Sequence, residues 1–244
     1  MKKFSGIKAI IFDKDGTLID FDKFWVSVSQ RAIELIYEAL GITYDAATSD
    51  EIMAAFGVRD GVTDIDGVLC KGTYRQMSDI VFDILTKHGA VLDREALYSK
   101  LLSAYVSATD AGVIAPTAKN LREALMELRS SGIRLAVVTT DNFEITKKCL
   151  DGLGITELFD KLYCDDGIMP TKPNPAAIAD LCERFGIGRE SVIMVGDTMT
   201  DVRFARAGGI GAVGVSHNPK NIERLATADA VLYDVSELHT VIEV

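Results

Sequence analysis

The rhythm of apolar positions changes twice along the chain. Residues 7–12 end in an unbroken apolar run, Ala9-Ile10-Ile11-Phe12, which predicts a short strand buried on both faces. From Asp20 to about Thr109 the spacing becomes helical, with Phe24, Val28, Ile33, Ile36 and Leu40 three to five positions apart. The stretches "SDEIMAAFGV", "YRQMSDIVFDILTKHG" and "DREALYSKLLSAYVSATD" continue it, so residues 21–109 read as all-helical, punctuated by a Gly-rich loop, "GVRDGVTDIDGVLCKG". After Pro116 strands and helices alternate. "IRLAVVTT", "FDKLYCDD", "SVIMVGD", "GAVGVS" and "ADAVLYDV" read as strands, and the stretches between them as helices, with "SELHTVIE" a last helix.

Such alternation predicts an α/β fold with a doubly wound, mostly parallel sheet, Rossmann-like in its core. The helical block interrupts that pattern after the first strand. The expected division is a core of residues 1–20 and 110–244 and an inserted all-helical cap of residues 21–109. Ligands of such sheets bind beyond the carboxyl ends of the strands, so the insertion point puts the cap over that edge.

The chemistry gathers at the same edge. The first strand runs directly into Asp13 and Asp15, with Lys14 between them and Gly16-Thr17 after them. Two carboxylates two positions apart after a buried run repel each other, and a positive partner is needed to hold both. Gly16 permits the turn that would bring Asp15 beside Asp13. The later strands exit at Thr139 and Thr140, near Lys172 in "MPTKPNP", and at Gly196-Asp197, with Asp201 one helical turn on.

Composition narrows the partners. The formal net charge is −10 over 244 residues and the sequence pI is about 4.8, which argues against nucleic acid or anionic membrane as partners. Cys70, Cys149, Cys164 and Cys182 form no C-x-x-C pair, and His88, His217 and His239 lack metal-ligand spacing. The cysteines read as free thiols in a reducing compartment. Apolar runs are too short for a signal peptide or a membrane span, so a cytoplasmic location is expected.

Taken in order, "DKDGT", "VVT" at Thr139, "KP" at Lys172 and "GDTMTD" resemble the four motifs of the phosphatase branch of the haloacid dehalogenase-like superfamily. The inserted block looks like the helical cap of the phosphoglycolate phosphatase and β-phosphoglucomutase relatives. The resemblance implies a Mg²⁺-dependent phosphatase acting on a small phosphorylated metabolite of the phosphoglycolate or sugar phosphate type, through an aspartyl phosphate. It makes Asp13 the nucleophile and Asp15 the general acid and base. Thr139 bonds the phosphoryl group, and Lys172 offsets charge. It further implies Mg²⁺ held by the Asp13 side chain, the Asp15 backbone carbonyl and Asp197, with Asp201 behind these ligands or bridged by water. Asp197 is expected also to cap the helix that follows it. Within the cap, "CKGTYR" resembles the K-G-x-x-R loop of β-phosphoglucomutase-like caps, so Lys71, Gly72 and Arg75 are candidate substrate contacts. Thr140 and Asp141 are candidates at the second strand exit. A homodimer is an allowed assembly.

The alternatives are a phosphomutase on the same fold and a protein that binds a phosphorylated ligand without turnover. Mutase relatives carry a His shortly after the first motif, where "FDKFW" offers Trp25. Dehalogenases lack the second acid of that motif, and phosphonatases typically replace it with a small residue; Asp15 stands against both. "DIDGVL" at 64–69 mimics the first motif but follows no apolar strand, and reads as a loop. Lys14 departs from the relatives, which more often have an apolar residue there; its side chain is expected near the sheet edge or reaching toward the cap.

Overall fold

The computed structural model describes residues 2–243. The chain forms two compact units, residues 1–20 with 114–244, and residues 21–113.

The first unit is built on a six-stranded, all-parallel sheet: β1 (Ala9–Phe12), β2 (Arg134–Val138), β3 (Lys161–Tyr163), β4 (Val192–Gly196), β5 (Gly211–Val215) and β6 (Ala230–Leu232), in the order β3-β2-β1-β4-β5-β6. The order reverses at β1, whose two neighbours lie on opposite sides, so the crevice of the switch point opens at its carboxyl end. All four β1 residues are fully buried, as expected of a strand covered on both faces. Ala9 and Ile11 join Ala136, Met194, Ile178, Leu181 and Phe204 in one core cluster, whereas Phe12 meets Phe159 edge-on at 6.1 Å. That division follows the two-residue period of a strand. The helices of this unit include Leu121–Ser130, Phe143–Gly152, Ala176–Phe185 and Met199–Gly208.

The end of the chain differs from the sequence reading. Val235–Thr240 is a short 3₁₀ helix, and Ile242–Glu243 is a strand parallel to Phe4–Ser5. The cause is tertiary: the Phe4 amide donates to the Val241 carbonyl at 2.7 Å, and Phe4 and Ile242 are both buried.

The second unit is mainly helical. Its long helices are Ser27–Leu40, Ala46–Ala55, Tyr74–Lys87 and Arg94–Ala108. Side chains start three of them: Asp45 and Asp93 accept from backbone amides two residues into their helices, and Thr73 and Gln76 form a reciprocal capping box. The Gly-rich stretch is more than a loop. Val58–Arg59 and Val62–Thr63 pair as an antiparallel hairpin. Asp60 and Gly61 form its turn, with φ of 51° and 75°, the double positive φ of a two-residue hairpin connection. The dipeptide Asp-Gly is the signal, and here it outranks the helical surroundings. "DIDGVL" is a turn: the Gly67 amide donates to Asp64 O at 2.7 Å, and Val68–Lys71 forms one helical turn. Among the described residues, no helix is long and apolar enough to cross a membrane.

Truncating the centre of β1 should expose how far the fold rests on it. Ile11→Ala is expected to lower unfolding free energy by about 3 kcal/mol, read as a shift of the urea midpoint at unchanged m-value.

Candidate active site

Register carries the acids to one rim. Phe12 lies opposite Val137 on one side and Val195 on the other, so Asp13, Thr139 and Asp197 leave their strands within about a residue of the same level. The Asp13 amide still donates to the Val195 carbonyl at 2.8 Å. Beyond it the chain turns back sharply: Leu18 and Ile19 amides both donate to the Lys14 carbonyl, and Gly16 N–H donates to Ile19 O. Gly16 has φ +73°, and a Cβ there would overlap the Asp197 carboxylate. Gly196 plays the same part for Asp201, whose carboxyl group fills the space a Cβ would take. Two glycines thus make room for two acids.

Lys172 lies at the centre. Its Nζ donates to Asp13 Oδ1 and to Asp201 Oδ1, each at 2.7 Å, and all three residues are buried. One oxygen each from Asp13, Asp197 and Asp201 lie within 4.8 Å of one another. Asp201 thus sits beside Asp13 and Asp197, two of the residues the resemblance names as ligands. It also takes over the capping expected of Asp197. Thr198 is the N-cap of helix Met199–Gly208, and Asp201 Oδ2 accepts from the Thr198 amide at 3.0 Å and from its hydroxyl at 2.7 Å. Asp197 is left aimed into the cluster, with its Oδ1 buried and without a hydrogen-bond partner. The Asn221 side chain donates to the Asp197 carbonyl at 2.7 Å, a fixing contact that no sequence motif signals.

Burial pushes the Asp13 carboxyl up to about 7; Lys172 pulls it down, and the charges of Asp201 and Asp15 push it up again. Burial, then Asp13 and Asp201, raise Asp197 well above the ordinary carboxylate range. Lys172 goes the other way: burial opposes its charge, but Asp13 and Asp201 hold it protonated. Three carboxylates and one ammonium leave two formal negative charges unanswered. An orphaned, buried carboxylate oxygen amid a set of hard oxygen donors fits a divalent cation such as Mg²⁺.

Lys14 lies just past the end of β1, at the carboxyl edge of the sheet. It is fully buried, with Nζ 2.7 Å from each carboxylate oxygen of Asp15 and 2.8 Å from Asp141 Oδ2. Burial disfavours its charge, yet Asp15 and Asp141 hold it above the usual lysine range. Burial and then the Asp15 charge push Asp141 up to about 6. The sequence marks Lys14 as a charge where relatives more often carry an apolar side chain and Asp141 as a candidate substrate contact, but gives no sign that the two meet. Thr139 is buried, and its Oγ1 accepts from the Asp141 amide at 3.2 Å. Thr140 is exposed beside it.

The cap candidates are engaged within the cap. Lys71 pairs with Asp66. Arg75 holds Glu95 through two hydrogen bonds of 2.9 Å and stacks on Tyr98 at 3.8 Å from the ring centroid. Gly72 closes the turn after Val68–Lys71, where a Cβ would clash with the Val68 carbonyl. Lys71 and Arg75 would have to exchange these partners to hold a substrate.

Comparison with known proteins points the same way. A model of the haloacid dehalogenase-like hydrolase family matches residues 7–209. A phosphoglycolate phosphatase from Vibrio parahaemolyticus is 27% identical over 240 residues, covering 98% of this chain and 97% of its own. Among solved structures, a predicted phosphoglycolate phosphatase from Haemophilus somnus superposes with a TM-score of 0.70 at 20% identity, over 96% and 97% of the two chains. The HAD-hydrolase YfnB from Bacillus subtilis, bound to magnesium, does so with a TM-score of 0.67 at 17% identity, over 98% and 99%.

The cation-free protein should lose stability as pH rises. The folded pKa of Asp13, about 7, exceeds the unfolded value of about 3.9, so between these values the native state binds the extra proton and stability falls with increasing pH. The melting temperature in EDTA is expected to drop from pH 5 to pH 8, and MgCl₂ to recover more of it at pH 8 than at pH 5. Asp197→Asn should raise the EDTA melting temperature and abolish most of the response to Mg²⁺.

Proposed function

The chain belongs to the haloacid dehalogenase-like hydrolases, and from that premise we propose that it hydrolyses a small phosphorylated metabolite through a phosphoaspartate on Asp13, with Mg²⁺ as its cofactor. It is a phosphatase of the haloacid dehalogenase type, a phosphoric monoester hydrolase. The observation that carries the finer reading is the buried cluster of Asp13, Asp197 and Asp201 around Lys172, with its Asp197 oxygen unpartnered.

Phosphoryl transfer asks mainly for positioning and charge compensation. Asp13 is suited to attack phosphorus because Lys172 and a neighbouring cation would keep it ionised near neutral pH, which burial alone opposes. Its oxygen forms the new P–O bond as the ester P–O bond breaks, and Asp15 delivers a proton to the leaving oxygen. The alcohol departs. Asp15, now a carboxylate, takes a proton from water, whose oxygen attacks the phosphoaspartate and releases inorganic phosphate and Asp13. The Thr139 hydroxyl, buried at the exit of β2, is suited to bond a phosphoryl oxygen. The Asp13 and Asp197 carboxylates and the Asp15 backbone carbonyl would hold Mg²⁺, with Asp201 adjacent; bound there, the ion supplies positive charge against the phosphoryl oxygens. The full-length match to a phosphoglycolate phosphatase makes phosphoglycolate the first substrate to test. We further propose that the enzyme works in the cytoplasm, where such metabolites and free thiols coexist.

A panel of phosphorylated metabolites, assayed by phosphate release with and without Mg²⁺, is expected to give Mg²⁺-dependent turnover. Asp13→Asn should lower kcat by about 10³-fold or more, as nucleophile removal does in covalent mechanisms. Activity of that variant near the wild-type level, or turnover undiminished in EDTA, would overturn the proposal.

A further inference from the structure

We propose that Lys14 and Asp141 form a buried clamp that positions the carboxylate of Asp15 for proton transfer to the leaving group. The inference rests on the reading of Asp15 as general acid and base.

The geometry is specific. Lys14 Nζ sits 2.7 Å from both oxygens of Asp15, so its contact constrains the tilt of that carboxyl plane as well as its distance. The same ammonium is 2.8 Å from Asp141 Oδ2, and the Asp141 amide is bonded to Thr139 Oγ1 at 3.2 Å. One cation thereby ties the acid of the first strand exit to the loop that presents the phosphate-binding hydroxyl. The Asp15 and Asp141 side chains are 19% and 18% exposed and that of Lys14 is not exposed at all. Asp15 thus keeps part of its side chain open while Lys14 holds it.

An ionic group at this depth is a poor choice for stability alone. A well-packed apolar side chain commonly serves a buried position as well or better than an ion pair, and neighbouring β1 is wholly apolar. Asp15 needs its own holder because Lys172 is occupied by Asp13 and Asp201. The clamp supplies a second ammonium on a separate carboxylate pair. Lys14 and Asp141 are positioning residues; neither is assigned a contact with substrate.

The test uses leaving groups of different basicity. Departure of phenoxide from phenyl phosphate needs a proton donor, whereas 2,4-dinitrophenoxide leaves without one. In Lys14→Met, Asp141→Asn and the double variant, kcat/KM for phenyl phosphate is expected to fall at least about 10-fold, a fraction of what a positioned general acid contributes. For 2,4-dinitrophenyl phosphate it should change less than about 3-fold, since the acid's share of the barrier is absent there. Asp15→Asn provides the reference. A strong leaving-group dependence in Asp15→Asn with an equal loss on both substrates, or no loss, in the clamp variants overturns the clamp and leaves the role of Asp15 standing. Equal loss on both substrates in Asp15→Asn itself, or no turnover of either by the wild type, overturns the general-acid reading beneath it. The Lys14→Met/Asp141→Asn double variant removes one cation and one acid and so keeps the net charge of the trio, and it reports even if a single variant fails to fold.

Discussion

Five carboxylates emerge at the carboxyl edge of one sheet, and the two lysines buried among them keep that edge from flying apart. Lys172 bridges Asp13 and Asp201, and Lys14 bridges Asp15 and Asp141. Each ammonium is buried, each answers two acids, and each stays protonated because of them. The balance is incomplete around Asp13, where Asp197 adds a third carboxylate with an oxygen that no described residue answers. Burial raises the free energy of that excess charge, and the folded state without a cation carries it as strain on stability. The same excess is what would draw a divalent cation and a phosphoryl group into the site together.

Backbone geometry makes this density possible. Parallel register brings three strand exits to one level, and the reversal of strand order at β1 opens a crevice there. Gly16 and Gly196 then withdraw their side chains so that the carboxylates of Asp197 and Asp201 can come close to the neighbouring backbone. The division of charge between the two lysines also starts from the backbone. Asp13 and Lys14 are consecutive, yet they belong to different clusters: the Asp13 amide still bonds β4, and from Lys14 the chain turns back.

Much of this was legible in the order of residues. The unbroken apolar run of β1, the alternation after Pro116 and the four polar strand exits identify an α/β sheet with acids at one edge, because burial on both faces and parallel crossovers leave those signatures. What stayed hidden depended on partners distant in sequence. The helical rhythm of "SELHTVIE" says nothing of Phe4, which draws residues 242–243 into a strand. Asp-Gly at 60–61 does encode its hairpin, but its short strands carry too little apolar period to stand out from the helices around them. Asp197 looked like a helix cap because acids before helices usually are; Thr198 and Asp201 satisfy that helix between themselves, and so release Asp197 for other work.

Lys14 was the most informative residue and the least legible. Its position alone marks it as out of pattern, since a lysine between two aspartates could equally face solvent. Only the fold reveals that Asp141, 127 positions later by residue number, closes the far side of its ammonium. A charge at an otherwise apolar position and an acid at a second strand exit are separately unremarkable; together they form one ionic contact whose near partner is Asp15. That dependence explains why substituting either residue singly is a different experiment from substituting both. Removing Lys14 leaves two acids facing each other, whereas removing the pair returns Asp15 to a site with one fewer cation and one fewer acid, its charge balance unchanged and only its anchorage lost.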